Sequence, residues 1–314
     1  MAESELIGVA SEDASHYSAK KDVLLVEFGE RAAPGSKLND AIQQAEREFS
    51  KVDSLLVPDM PALTRLLEER EEGSVGMVVL INPTDAEALM KLPGLYPDMV
   101  FSIIDAPLPS YALNAQNVQF REDEGAFLLG AIAAIRTDQR ITFMALEENE
   151  RSKEMQKSFT SGVHHVRKSS VVRSMLNVRP SATQTTRLAT TVSSAFQDGS
   201  AIIFSMDNDI IEQALRAAKA ERRIVISGDA PSSGMDTSRL MTYMVKRYDL
   251  ALMDVLRIYT HRQWHSGIIL LGVSGGYVDY SLNAENVEIF PKDSIDQIEG
   301  IKDYIGQGIV SKDP

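Results

Sequence analysis

YPDMVFSIIDAPLPSYALNAQNVQFREDEGAFLLGAIAAI, residues 96–135, contains the transitions that decide the fold. Val100 to Ile104 is a short continuous apolar run, the pattern of a strand buried on both faces, and it ends on a carboxylate, Asp105. A loop carrying Pro107 and Pro109 follows, then a second short strand run at Asn117 to Phe120. Glu122 to Glu124 supply an acidic first turn, which favours a helix start. Gly125 to Ile135 is apolar throughout, the mark of a buried helix. Open α/β sheets place ligand contacts at the carboxyl ends of their strands, so Asp105 is the first candidate.

The same alternation extends in both directions. Upstream, strand runs at 22–28, 54–57 and 76–82 alternate with helical spacing over 38–49, about 59–71 and 84–90. Downstream, strand runs at 141–146, 171–176, 201–206, 222–229 and 240–245 alternate with helices over 152–166, 183–196, 209–220 and 246–259. The tail reads as GIILLGV at 267–273, a Gly-rich hairpin turn at 274–276, YVDYSL, and an amphipathic helix near 294–305. Apolar runs separated by helices mean βαβ units and parallel sheets. One sheet holding every strand would be very wide, so two similar α/β lobes are expected. No short-period repeat or low-complexity tract is visible.

Net charge is −13 over 314 residues, which argues against nucleic acid as a partner, because phosphate binding needs clustered Lys and Arg. There is no cysteine, so disulfides, thiolate catalysis and Cys-type zinc sites are excluded. No run of about 18 apolar residues is present. Residues 1–21 are polar, without the basic-then-apolar order of a signal peptide, and read as a flexible leader or a frayed terminus. A leader of that kind suits a tether between a membrane anchor and a folded body.

Catalytic motifs are missing: the chain has no GxSxG, HExxH, Walker-type or GxGxxG pattern. His164 and His165 are adjacent on a helix and point apart. His261 and His265 flank Trp264 at a helix end, and no metal site is expected from them. Asp105, Asp229 and Lys246 make a better set, two carboxylates ending strands and one ammonium following a strand. Such groups suit ligand hydroxyls and ring nitrogens, and equally suit turn, N-cap and solvated helix-start roles; position alone leaves both open.

Three segments carry a family resemblance. YPDMVFSIIDA (96–106), EGAFLLGAIAA (124–134) and MTYMVKRYDLALMD (241–254) resemble, in order and spacing, motifs of the basic-membrane-protein family of bacterial solute-binding lipoproteins. The resemblance spans about residues 22–310. It implies a two-lobed type I periplasmic-binding fold with the ligand cleft between the lobes, a receptor role for an ABC permease in the inner membrane, and no enzymatic activity. It also implies a monomer, periplasmic or held at the cell membrane by an N-terminal lipid anchor. Three chain crossings are expected near Phe120, Val245 and Ser266, making lobe one residues 22–120 plus 246–266 and lobe two residues 121–245 plus 267–314.

Carried over by position, Asp105 and Asp229 resemble the ligand-contacting aspartates of nucleoside-binding members, Lys246 the lysine that helps hold the sugar, and Asn39 the Asn at the first helix start. The base-reading side departs. Phe28 stands where those members have Asp, Leu38 where they have a stacking Phe, Ala182 near a second one, and Met206, Asp207 and Asn208 replace a Gly pair. Asp207 and Asn208 therefore join the candidate contacts. A retained polyol side with a rebuilt base side suggests riboflavin, as in the spirochaete riboflavin-receptor branch, with Phe28, Tyr111 or Phe204 as the aromatic face. A purine nucleoside is the alternative ligand. A cytosolic ligand sensor and a nucleoside-processing enzyme are the other classes weighed.

Overall fold

The computed structural model describes residues 22–29, 32, 36–49, 51–71, 73–106, 108, 112–178, 185–282 and 288–308. The leader expected over residues 1–21 lies outside them. The chain forms two compact units, residues 1–120 with 247–271 and residues 121–246 with 272–314.

The first stretch runs β1 (Asp22–Phe28), α1 (Lys37–Glu48), β2 (Val52–Val57), α2 (Met60–Glu68), β3 (Val75–Ile81), α3 (Ala86–Leu95), β4 (Val100–Ile104) and β5 (Ala115–Phe120). The second runs α4 (Glu122–Arg136), β6 (Arg140–Met144), α5 (Glu150–Val166), β7 (Val172–Met175), α6 (Thr185–Gln197), β8 (Ser200–Ser205), α7 (Asn208–Glu221), β9 (Ile224–Ser227) and β10 (Leu240–Lys246). The chain closes with α8 (Tyr248–Thr260), β11 (Gly267–Leu271), β12 (Val278–Tyr280) and α9 (Ile295–Gly306).

The two six-stranded sheets share one plan. The first has the order β11-β5-β4-β3-β1-β2, and the second β12-β10-β9-β8-β6-β7. Every pairing is parallel except that of β10 with β12. The central strands β3 and β4 are buried along their whole length, as uninterrupted apolar runs covered on both faces must be. The expected class, parallel sheets flanked by helices in a two-lobed periplasmic-binding fold, is what forms. Helix starts follow local chemistry: Ser36 caps α1, Asp59 caps α2 with Pro61 in the first turn, and Asn149 with Ser152 forms a capping box on α5.

Each unit receives one helix from the strand that ends the other's run. α4 follows β5 yet packs on α5, and α8 follows β10 yet packs on α1. Neither helix has a side-chain cap. Instead Arg121 chelates Asp123 through Nε and Nη2 at 2.9 and 2.7 Å, and Arg247 chelates Asp249 the same way at 2.8 and 2.6 Å. Both forks set a carboxylate on the positive end of a helix.

Three readings need correction. Residues 267–271, expected with the second lobe, form β11 and extend the first sheet beside β5, because their apolar run finds an open parallel edge there. The hairpin expected at 274–276 is therefore a connection between strands of different sheets, turned by Gly276 at φ +72°. Lys246, expected to open a helix, is the last residue of β10, and the helix begins at Tyr248.

Trp264 is structural. Its Nε1 donates to Ser102 Oγ at 3.0 Å, Ser102 Oγ donates to Gln116 Oε1 at 3.1 Å, and Gln116 Nε2 donates to His265 O at 3.0 Å. This buried chain ties the segment after α8 to the first sheet.

In the second unit, α4 and α5 touch backbone to backbone. A Cβ on Gly130 would sit 2.1 Å from Phe159 O, and one on Gly162 would sit 1.9 Å from Phe127 O. Both atoms are fixed backbone, so nothing can yield cheaply. Gly162→Ala is expected to lower stability by about 1–3 kcal/mol or more through overpacking, read as a drop in the urea midpoint with the m-value unchanged.

Candidate functional site

Phe28 closes β1, half-buried against the rim of the first unit's apolar core. Asn39 sits in the first turn of α1, where its N–H donates to Ser36 Oγ at 3.2 Å and its Oδ1 accepts from Gln43 Nε2 at 3.0 Å. Asp105 follows β4 with φ +65°, the left-handed region that costs a side-chain-bearing residue energy. Several bonds hold it there. Its N–H donates to Val118 O at 2.8 Å. The Asn117 amide, oriented to satisfy both neighbours, donates to Ala106 O at 3.0 Å and accepts from Leu108 N at 3.1 Å. The Tyr248 hydroxyl donates to Asp105 Oδ2.

Tyr248 did not emerge from the sequence. It opens α8, 143 residues from its partner Asp105, and its ring meets Phe120 edge-on at 5.1 Å. At a helix start it reads as an ordinary amphipathic aromatic. Only the pairing of β4 with β5, and of β5 with the strand after α8, would have raised it.

In the second unit, β8, β9 and β10 lie side by side, and a predicted residue stands at or just beyond each carboxyl end. Asp207 precedes α7, and its Oδ2 accepts from Leu146 N–H at 2.8 Å. Asn208 opens α7 and is exposed. Asp229 is exposed two residues beyond β9, its carboxylate accepting from Ala230 N–H at 2.8 Å. Lys246 ends β10 with its side chain only 9% exposed, and its Nζ lies 2.7 Å from Glu122 Oε1. Arg151 donates through Nε and Nη2 to the other Glu122 oxygen at 3.0 and 2.7 Å.

Burial alone would push the Glu122 carboxyl up, but the Lys246 ammonium and the Arg151 guanidinium more than reverse this and hold it below the usual range. Glu124, two residues on in the same helix turn, goes the other way. Burial raises it against the opposing pull of the Val273 N–H at 2.8 Å and of Arg121 at 3.1 Å. Beside Asp207 lies a cavity of about 80 Å³ lined by Leu146, Asn149, Arg151, Met155 and Met206 among others. Ligand sites for drug-sized molecules run to about 300–1,000 Å³, so it admits a substituent and not a whole heterocycle.

Phe204 is a correction. It is fully buried in β8, stacked on Phe159 at 4.4 Å and tilted against Phe143 at 5.5 Å. β8 is covered on both faces, so strand periodicity could not mark an exposed side. Phe204 belongs to the core and offers no face to a ligand. Tyr111 and Ala182 lie outside the described residues. At the carboxyl edge of the first sheet, Phe28 and Tyr248 are half-buried rings, and Phe120 at the end of β5 is buried. Among the described residues no group of three or more His, Cys, Asp or Glu is placed to hold a metal ion, and no helix is long and apolar enough to cross a membrane.

Polar groups at strand ends on this fold suit the binding of a small solute. A family model described as ABC transporter substrate-binding protein PnrA-like matches residues 33–313, and the chain belongs to that family. The family is one of transporter receptors and not of enzymes, and it implies a small-molecule ligand and a membrane permease as partner. No curated protein sequence matches the chain. Solved structures share the fold at low identity. An ABC transporter solute-binding protein from Conexibacter woesei is 12% identical with a TM-score of 0.72, over 94% of this chain and 98% of that one. A solute-binding protein from Aeropyrum pernix is 20% identical with a TM-score of 0.63, over 93% and 94%. A transcriptional activator of the comK gene from Bacillus halodurans is 16% identical with a TM-score of 0.70, over 93% and 100%.

Glu122 makes a sharp pH prediction. Its folded pKa is depressed, so its contribution is present above the unfolded value of 4.5 and is lost as pH falls through the folded value. Glu122→Gln is expected to cost about 3 kcal/mol at pH 7, because the buried Lys246 ammonium loses its counter-charge, while the exposed Arg151 adds little. The gap to the unmodified protein should narrow steadily below pH 4.5. Urea unfolding of both proteins at pH 7 and pH 3 measures it, and a constant gap would exclude the ion pairs as its source.

Proposed function

We propose that this chain is the solute receptor of an ABC importer for a flat heterocycle bearing a hydroxylated chain, with riboflavin as the first candidate. The observation that carries the reading is the fixing of charged groups at the carboxyl strand ends. Asp105 is pinned in a left-handed conformation by neighbouring bonds, and Lys246 is pinned by Glu122. Groups held in this way can meet hydroxyls without first being ordered. Asp105, Asn39 and Phe28 are the candidate contacts of the first unit, and Asp207, Asn208, Asp229 and Lys246 those of the second. Phe28 gives the ring an aromatic neighbour in place of the carboxylate that nucleoside binders carry.

A purine nucleoside is the second reading, favoured by Asp105 and Asp229 at the positions of ligand-contacting aspartates of nucleoside-binding members, Lys246 at that of the lysine that helps hold the sugar, and Asn39 at that of the Asn of the first helix start. The receptor is read as a monomer on the extracytoplasmic side, periplasmic or held at the cell membrane by an N-terminal lipid anchor. The Bacillus halodurans relative shows that the same fold also serves in a protein described as a transcriptional activator, which keeps a sensor role as a distinct outcome.

Titration of free riboflavin with micromolar protein should quench its fluorescence. Asp229→Ala and Lys246→Ala should each weaken binding by about 1–3 kcal/mol, roughly ten- to a hundredfold, if they hold hydroxyls through charge-assisted bonds. Quenching absent and calorimetric heat with inosine present would select the nucleoside reading. Neither signal, or full affinity in both variants, would sink the proposed polyol contacts.

A further inference from the structure

We propose that Tyr248 is a specificity-determining residue that acts through Asp105, selecting ligands that carry a hydroxylated chain or sugar; this rests on the receptor reading above. A carboxylate only accepts hydrogen bonds, and it can rotate about its Cβ–Cγ bond unless something holds it. Here the Tyr248 hydroxyl donates to Oδ2, which sets that rotation. Both ends of the bond are themselves fixed. The Tyr248 backbone lies in the first turn of α8, and its ring rests on Phe120 at 5.1 Å with an interplanar angle of 66°. The Asp105 backbone, at φ +65°, is fastened by Val118 O, and the residues after it by Asn117. A hydrogen bond between two immobile groups is a positioning device. A phenylalanine at position 248 would keep the ring contact and lose the hydroxyl's bond to Asp105. Tyr248 therefore decides how well Asp105 meets a hydroxyl donor, and has no part in how the flat ring is held by apolar contact.

The test is a double-mutant cycle of Tyr248→Phe and Asp105→Asn, read with two probes that share a ring system. Riboflavin carries the hydroxylated chain and lumichrome lacks it; inosine and hypoxanthine form the matching pair should the protein take nucleosides. Tyr248→Phe is expected to weaken the hydroxylated probe about tenfold and to leave its counterpart within about twofold. In the Asp105→Asn background the same change should cost less than about threefold, because the group it positions is already gone. Equal weakening of both probes, or an additive cycle, would overturn the inference, as would an unchanged riboflavin or inosine affinity. If the unmodified protein binds neither hydroxylated probe, the proposed function fails and this inference falls with it. If it binds and the cycle is additive, the inference alone falls.

Discussion

Glu122 accepts from two cations that reach it from distant parts of the second unit, Lys246 at the end of β10 and Arg151 in the first turn of α5. One carboxylate thus ties the starts of α4 and α5 to a strand end. Glu122 meets Arg151 at their first turns, and eight residues further along each helix Gly130 meets Phe159. At 1.5 Å rise per residue these contacts are about 12 Å apart, so the glycines set the separation at which the ion pairs close. Burying Glu122 and Lys246 is costly, and it is tolerated because each finds an opposite charge within bonding distance, with the exposed Arg151 as a second cation on Glu122. The lysine read as a ligand contact therefore owes its position to backbone packing well removed from it.

The shared strand order of the two sheets gives each unit the same problem and the same solution. In both, the helix after the first strand packs on a helix that arrives from the other unit's fifth strand. In both, that arriving helix opens with an Arg–x–Asp fork in place of a capping side chain. The residue between Arg and Asp differs, and its chemistry sets the local network. Glu122 pairs with Lys246, and Tyr248 bonds to Asp105. One structural position thus supplies a charge anchor in one unit and a phenol in the other.

Much of this was legible in the sequence, and the limits have physical causes. Continuous apolar runs marked the buried strands, and the carboxylate after Val100–Ile104 marked a strand end, because burial on two faces and a polar terminus are both local properties. Phe204 was misread for the same reason the strands were found: a run buried on both faces has no period to separate core from surface. β11 was misplaced because an apolar strand does not encode which open edge it will join. Tyr248 and Glu122 were missed because their partners lie 143 and 124 positions away. No spacing rule reaches that far, and an acidic or aromatic residue in a first helical turn has an adequate local explanation.

Glu122 and Glu124 show how far local identity falls short of local chemistry. They share a helix turn, a side-chain type and a buried setting, yet their acidities shift in opposite directions. Desolvation acts on both with the same sign, so the difference lies in the partners. Glu122 faces two full cations. Glu124 faces one guanidinium already committed to Asp123, together with a single backbone N–H from Val273. The N–H contact is close enough that a Cβ on neighbouring Gly272 would fall 2.2 Å from Glu124 Oε2, which is why a glycine stands where the chain leaves β11. Glu124 thus serves as a steric and hydrogen-bonded anchor for backbone, a role that tolerates a weakly held charge. Glu122 must stay ionised to do its work, and its two cations ensure that it does. Fixed charge at the strand ends and fixed backbone behind them are thus met by separate residues of one helical turn.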